Sequence, residues 1–143
     1  MFGKFAATLA IGLALASAAP AETFEVQMLN KGEAGKMIFE PAFLRVAKGD
    51  SVKFVAANKG HNAEAIEGMI PDGAAVFKGK INEEIDVTFD VEGLYAVKCK
   101  PHYAMGMVMT IAVGDDVAVP DTFFEGRVPK KALERFEAQI SGL

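Results

Sequence analysis

Hydrophobic and polar residues alternate along most of the chain, and this period of two predicts β-strands separated by Gly, Pro, Asn and Asp turns. The clearest alternation runs from Glu84 to Phe89, where every second side chain is apolar. One face of that strand should lie in a core and the other in water. Strands are predicted at residues 24–29, 37–39, 43–47, 52–57, 84–89, 94–99 and 107–113. So many short strands in one stretch predict an all-β sandwich or barrel.

The period changes after residue 114, where apolar residues begin to fall at helical spacing. Ala132, Leu133, Phe136 and Ile140 lie on one helical face, and Pro129 suits the first turn of that helix. A shorter helical turn is predicted at residues 120–125. The all-β core is therefore expected to carry a C-terminal pair of helices from about residue 120, which dock on the sandwich through their apolar side chains.

The first 21 residues have the pattern of a secretory signal peptide, with a basic start at Lys4, an apolar run and the small-residue ending Ala19-Pro20-Ala21. The apolar run is about fourteen residues long, shorter than the roughly twenty that cross a bilayer. We therefore expect export, no membrane anchor and one mature domain at residues 22–143.

Removal of this leader leaves an acidic chain. The leader carries one of the 15 basic residues and none of the 19 acidic ones, which leaves 14 against 19 and a net charge of −5. This charge argues against nucleic-acid binding through bulk electrostatics.

The 143 residues include one cysteine and two histidines. Cys99 alone cannot form an intramolecular disulfide, although an oxidising compartment would favour one. His102 follows Cys99 by three residues and Met107 follows His102 by five, all in a short loop between two predicted strands. His61 follows another strand. If both loops lie at the same end of the sandwich, both imidazoles and the only thiol converge.

Two imidazoles, a thiolate and a weak thioether are the donor set of a blue-copper electron-transfer site. Taken alone, His61 could be a hydrogen-bonded surface group, Cys99 a small buried hydrophobe and Met107 a core residue. These explanations fail together, because all the Cys and His of the chain fall in this one pattern. Met105 also has a possible ligand spacing. Met107 is favoured because it begins a strand that fixes its direction, whereas Met105 lies in the loop before a glycine.

These segments resemble the pseudoazurin family of blue-copper cupredoxins over nearly the whole mature chain. The resemblance is carried by Cys99-Lys100-Pro101-His102-Tyr103-Ala104-Met105-Gly106-Met107, by Gly60-His61-Asn62 and by the helical tail. It implies a cupredoxin-type Greek-key β-sandwich of about eight strands. It also implies one copper ion, with His61, Cys99 and His102 as strong ligands and Met107 as the weak axial ligand.

The resemblance implies further roles around the site. Asn62 should anchor the ligand loops and donate its backbone N–H to the Cys99 sulfur. Met37 should pack near His102, the alternative being a plain core methionine. Lys100 stands where the family resemblance predicts a small hydroxyl residue, so an Asn62 side-chain bond to a hydroxyl is not expected here.

The implied role is that of a periplasmic one-electron carrier, a monomer and not an enzyme, which exchanges electrons through the partly exposed edge of His102. The acceptor would be a nitrite reductase or a related terminal reductase in denitrification, and the donor a respiratory cytochrome. Two rival hypotheses are an enzyme with Cys99 as a nucleophile activated by His61 or His102, and a storage or handling site for copper or zinc. Zinc is disfavoured because it prefers stronger donors than a thioether.

Lysines provide the sequence signal for a partner surface. The lysines that the resemblance places at the copper end are Lys31, Lys36, Lys59, Lys78, Lys80, Lys98 and Lys100. The apolar patch that they should surround comprises Met105, Pro101, Ala104, Ile70 and Pro71. Such a basic ring would steer association with acidic redox partners, the alternative being lysines that only solubilise the surface.

Overall fold

In the described part of the chain, eight strands form two sheets that enclose one core, which confirms the all-β sandwich. The computed structural model describes residues 12, 14–16 and 18–143, so the predicted signal peptide lies mostly outside the described residues. The strands are β1 (Thr23–Gly32), β2 (Gly35–Glu40), β3 (Phe43–Val46), β4 (Ser51–Val55), β5 (Glu64–Ala65), β6 (Ile85–Thr88), β7 (Gly93–Lys98) and β8 (Val108–Val113). One sheet has the order β2-β1-β4-β6 and the other β3-β8-β7-β5.

The pairing of the strands brings two loops to one end of the sandwich. β1 runs parallel to β4, so the C-terminal ends of both strands lie at the same end of the sheet. The loop that follows β4 there meets the loop between β7 and β8, which are antiparallel neighbours in the other sheet. Two-residue β5 was not predicted. It pairs with the end of β7 through Glu64 and Lys98, and it ties the two loops together.

Both faces of β8 are buried, which explains why its sequence is a continuous apolar run rather than an alternating one. Met109 and Ile111 point into the core between the sheets, among the side chains of β1 and β4. Val108 and Ala112 point the other way and contact the C-terminal tail. The tail therefore covers a sheet face that would otherwise expose apolar surface to water.

One C-terminal helix, α1 (Lys130–Ile140), makes most of this cover. Its Ala132 and Phe136 are fully buried, and burial of a phenylalanine side chain contributes about 2–3 kcal/mol. Gln139 adds hydrogen bonds to β8, one to the Val108 carbonyl and one with the Thr110 hydroxyl, each 3.0 Å long. Within the described part of the chain, no helix is long and apolar enough to cross a membrane.

The shorter predicted helix at residues 120–125 is wrong, because this segment forms two successive turns. The Phe123 N–H donates to Pro120 and the Glu125 N–H donates to Thr122, at 3.0 and 3.1 Å. Phe123 and its neighbour at position 124 both place their rings against Phe136. Both bonds span three residues and they do not follow one another at consecutive positions, so the segment does not form a continuous helix.

Candidate metal centre

Three side chains with metal-binding atoms meet at the end of the sandwich where the two loops converge. The Cys99 Sγ lies 3.7 Å from the His61 Nδ1 and 3.6 Å from the His102 Nδ1. The two Nδ1 atoms are 3.1 Å apart. The ligand atoms of all three residues lie within 4.8 Å of one another, as expected if the loops meet. A single metal ion could contact all of them.

His61 is completely buried and is oriented by a residue that sequence reasoning missed. Its Nε2 lies 2.7 Å from the Asn30 Oδ1, near the end of β1. The Nε2–H donates to this oxygen, which leaves the Nδ1 lone pair directed at Cys99. Asn82 fixes the backbone of the loop, since it accepts from the Gly60 N–H at 2.7 Å and donates to the His61 carbonyl at 2.8 Å.

The second loop, residues 99–107, is closed by hydrogen bonds within its own backbone. Lys100–Met105 forms 3-10 turns that begin after Cys99. The His102 N–H donates to the Cys99 carbonyl at 3.2 Å, and the Met107 N–H donates to the His102 carbonyl at 3.1 Å. A third bond closes the loop, from the Cys99 N–H to the Met107 carbonyl at 3.0 Å. These bonds fix Cys99, His102 and Met107 relative to one another.

The two candidate methionines differ sharply in exposure. Met107 is fully buried just before β8, whereas Met105 is 45% exposed at the end of the 3-10 turns. Burial places Met107 in the core cluster that also contains Cys99. Met105 is part of the surface beside the loop, and Met107 is the better candidate for a fourth ligand.

Asn62 links the two loops through both its backbone and its side chain. The backbone N–H of Asn62 donates to the Cys99 sulfur. Its Oδ1 accepts from the Lys100 backbone N–H at 2.7 Å. Its Nδ2 donates to the Glu64 carboxylate at 3.0 Å and to the Gly79 carbonyl at 3.1 Å. Because the bond to position 100 uses the backbone, the loop does not need a hydroxyl side chain there.

Glu64, a buried carboxylate that sequence reasoning also missed, neutralises one of the predicted lysines. Its Oε1 lies 3.5 Å from the Lys98 Nζ, and that ammonium group lies 5.0 Å from the centre of the Tyr103 ring. The negative charge of Glu64 therefore has a cationic partner and an amide donor. Lys98 serves this internal network more than it serves a surface ring.

Burial controls the ionisation of the candidate ligands. Desolvation raises the pKa of the Cys99 thiol, while backbone N–H groups of Asn62 and His102 act in the opposite direction. Desolvation, followed by the charge of His102, lowers the pKa of His61. His61 is thus kept neutral, as a metal ligand must be, and Cys99 must lose its proton when a metal binds.

The predicted apolar patch is partly wrong. A side chain at Gly93 would collide with the Pro71 ring, so Ile70 and Pro71 lie near the start of β7. Cys99 follows the other end of this six-residue strand, about 20 Å away for extended backbone. The mistake arose because the segment after β5 continues antiparallel to β7, away from the metal-binding end, as the bonds from the Ile66 N–H to the Ala96 carbonyl and from the Ala96 N–H to the Met69 carbonyl show. The remaining patch consists of Pro101, Ala104 and Met105, all exposed.

Met37 is half-buried against the core cluster that also contains Cys99 and Met107. Its backbone has an unusual φ of +51°. Its carbonyl accepts a 2.7 Å hydrogen bond from the Arg135 side chain of α1. The same guanidinium donates to the Gly106 carbonyl at 2.8 Å, next to Met107. Sequence reasoning gave Arg135 no role, because no local pattern indicates a contact across 98 residues.

The donor set fits copper better than zinc. The site combines one soft thiolate donor with two imidazoles, and the only metal-binding group found in the described part of the chain includes no carboxylate. Structural zinc sites normally have four strong donors, whereas the fourth residue available here is the thioether of Met107.

Comparisons with known proteins agree with this chemistry. Residues 26–114 match the family model described as copper binding proteins of the plastocyanin/azurin family. The chain is 49% identical to a pseudoazurin of Paracoccus pantotrophus, over 96% of this chain and 95% of that protein. It is 45% identical to a putative pseudoazurin of Rhizobium leguminosarum bv. viciae, over 98% and 91%. The structure of pseudoazurin from Methylobacterium extorquens AM1 superposes with a TM-score of 0.79 at 42% identity, covering 83% of this chain and 97% of that one.

Proposed function

This chain belongs to the pseudoazurins of the plastocyanin/azurin family of copper-binding proteins, and we propose that it is a periplasmic carrier that delivers single electrons to a terminal reductase. Pseudoazurins are electron-transfer cupredoxins and not enzymes. Its cofactor is copper. We propose His61, Cys99 and His102 as strong ligands and Met107 as the weak axial ligand. When bound, the copper ion supplies a one-electron couple between Cu(II) and Cu(I).

The observation that carries the ligand assignment is the convergence of the only thiol and both imidazoles within 4.8 Å. Hydrogen bonds from the protein's own residues hold these groups in place. Asn30 orients His61 and Asn62 ties Cys99 to the facing loop. Backbone N–H groups of Asn62 and His102 lower the pKa of the Cys99 thiol, against the larger effect of burial, which raises it. Such preorganisation lets the charge on the centre change with little movement of the protein.

Electrons are proposed to enter and leave through His102, because exposure differs among the four proposed ligands. His61, Cys99 and Met107 are fully buried, and His102 is half-buried. The exposed residues Pro101, Ala104 and Met105 lie in the same loop and form a small apolar surface beside it. A partner that docks on this surface comes closest to the centre at the imidazole of His102.

The proposed partners are a nitrite reductase or a related terminal reductase as acceptor and a respiratory cytochrome as donor. Lys31 and Lys36 pair across the hairpin at the end of β1, and exposed Lys100 lies in the His102 loop. Their positive charge around an apolar surface would accelerate encounters with an acidic partner. The encounter should be small, below about 1,200 Å² of buried surface, since a carrier must also leave its partner.

The surroundings of Cys99 do not support the rival hypothesis that this residue is a nucleophile. The thiol is fully buried, and burial raises its pKa, whereas reactive cysteines are accessible and have a lowered pKa. A chain that stores copper would share the ligands but would not need an exposed ligand edge beside an apolar patch.

The decisive test is the visible spectrum of the mature protein reconstituted with Cu(II). We expect an intense thiolate-to-copper band that bleaches reversibly with a mild reductant and is absent in Cys99→Ser. A colourless wild-type product would overturn the proposed function, and a blue product that resists reduction would favour storage.

The axial assignment is tested by comparing Met107→Leu with Met105→Leu. Both substitutions exchange a thioether for an alkyl side chain of similar volume, so packing changes little. Only Met107→Leu should shift the spectrum and the reduction potential. A larger shift from Met105→Leu would reverse the assignment.

The partner surface is tested through salt. Charges on an exposed surface are screened over about 10 Å in 0.1 M salt, so the reaction rate with a nitrite reductase should fall as ionic strength rises. Lys100→Gln should lower the low-salt rate and flatten this dependence, whereas Lys48→Gln, in the turn before β4, should not. A rate that does not depend on salt would count against steering.

A further inference from the structure

We propose that Arg135 of α1 is a positioning residue of the metal centre, which fixes the Gly106–Met107 peptide and holds a positive charge beside it. The inference rests on the proposed role of Met107 as a ligand. It assigns to the C-terminal helix a function beyond covering the sheet.

The guanidinium of Arg135 joins three segments that are far apart in sequence. Its Nη1 donates to the Gly106 carbonyl at 2.8 Å and to the Met37 carbonyl at 2.7 Å. Its Nη2 donates to the Lys36 carbonyl at 2.9 Å. A planar group with several fixed donors can satisfy three carbonyls at once, which a lysine ammonium on a flexible stem does less well.

The peptide between Gly106 and Met107 is consequently held from both sides. Its carbonyl accepts from Arg135, and its N–H donates to the His102 carbonyl at 3.1 Å. Displacement of this peptide would break one or both bonds, and it would also move the backbone that carries the Met107 side chain. The position of the proposed axial ligand therefore depends on α1.

The packing of the helix on Gly106 supports the same conclusion. Gly106 has a φ of +85°, and a Cβ there would lie 3.0 Å from the Lys131 Cγ and 3.1 Å from the Arg135 Cδ. The glycine thus meets two needs, the left-handed backbone and the close approach of α1. The loop and the helix fit each other at the residue next to Met107.

The positive charge of Arg135 has no partner of opposite charge in the described part of the chain. Lys36 and Lys131 are its neighbours. The guanidinium is half-buried and is compensated by carbonyl dipoles only. A positive charge next to a redox centre favours the form with one electron more, so Arg135 should raise the reduction potential.

Three variants separate geometry from charge. Arg135→Lys keeps the charge but loses the planar fork, Arg135→Met loses both, and Arg127→Met removes an exposed charge from the same tail as a control. In the copper-free protein, amide exchange at Met107 should accelerate about tenfold in both Arg135 variants, because the peptide loses a charge-assisted bond. In the copper-loaded protein, both should change the spectrum, and Arg135→Met should also lower the potential relative to Arg135→Lys. Arg127→Met should leave all three measurements unchanged.

The readouts distinguish this inference from the proposed function. A blue wild-type protein whose Arg135→Met variant melts earlier, yet keeps its exchange rate, spectrum and potential, would show a merely structural arginine and overturn the inference. A colourless wild-type protein would overturn the proposed function, and the exchange rates would still decide whether Arg135 fixes the peptide. If Arg135→Met does not fold, unchanged exchange and an unchanged spectrum in Arg135→Lys overturn the inference.

Discussion

The two loops that supply the histidines are held in different ways. The loop around His61 depends on residues from elsewhere in the chain: the Asn30 side chain orients the imidazole, the Asn82 side chain accepts from the Gly60 N–H, and the Asn82 backbone N–H donates to the His61 carbonyl. The loop around His102 is closed by backbone bonds within itself, which link Cys99, His102 and Met107, and the side chains of Asn62 and Arg135 add one bond each from outside. One histidine is fully buried and the other half-buried. The sandwich thus combines an anchored ligand with one that reaches the surface.

This difference suits electron transfer. A ligand set that moved with each change of charge would slow the exchange, so the buried side should be rigid. A ligand set sealed on all sides would keep partners too far away. Asn62 reconciles the two loops, because it holds Cys99 through the sulfur and Lys100 through the backbone.

The largest expected effect comes from removing each imidazole in turn. His61→Gly and His102→Gly should both lose the intense visible band, since each removes a proposed strong ligand. Added imidazole should restore the band in His102→Gly, where the vacated space opens to solvent. It should not do so in His61→Gly, where the space is closed by the core.

Titration of each variant with imidazole, followed in the visible spectrum, makes this measurement. Equal rescue of both variants would mean that imidazole from solution reaches the two vacated histidine positions equally well. The failure of rescue in both, with the fold intact by circular dichroism, would contradict the exposed edge of His102.

The site could be predicted from the sequence to the extent that it depends on rare residue types. Cys99 and the two histidines are the only ones in the chain, so their spacing was informative. Asn30 and Arg135 could not be found in this way. Both residue types are common on protein surfaces, and their contacts join positions 31 and 98 residues apart.

The fold could be predicted where one face of a strand meets water, as in β6 between residues 84 and 89. β5 was missed because two buried residues carry no period. The helical turn at 120–125 was predicted from local pattern alone, whereas the segment forms two separate turns whose phenylalanines pack on Phe136. The apolar patch failed at Ile70 and Pro71 because direction along a sheet depends on topology rather than composition.

A smaller effect is expected from Asn62→Ala, which removes the side-chain bonds between the loops. Glu64, the Gly79 carbonyl and the Lys100 N–H would each lose a partner in a buried region. Unsatisfied groups of this kind cost about 1–3 kcal/mol each and are not additive, so we expect the free energy of unfolding to fall by about 3 kcal/mol.

Chemical denaturation of the copper-free protein measures this loss. Asn58→Ala is the matched control, because its Oδ1 accepts one exposed backbone bond, from the Asn30 N–H at 2.9 Å. That variant should lose about 1 kcal/mol or less. Equal losses in the two variants would mean that Asn62 holds the loops no more firmly than an exposed amide does.

The smallest effect is expected from Asn30→Ala, which tests whether the His61 loop relies on an outside side chain. Asn30 is exposed, so water can replace its carbonyl oxygen and the free energy of unfolding should change by less than about 1 kcal/mol. The imidazole would nevertheless lose the acceptor that fixes its tautomer, and copper affinity should fall about tenfold. Competition with a chelator measures the affinity, and Asn30→Asp, which keeps an acceptor oxygen, should retain most of it. The bond from His61 to Asn30 orients the imidazole more than it stabilises the fold. A fall in the free energy of unfolding without a fall in copper affinity would therefore contradict the role assigned to Asn30 in the His61 loop.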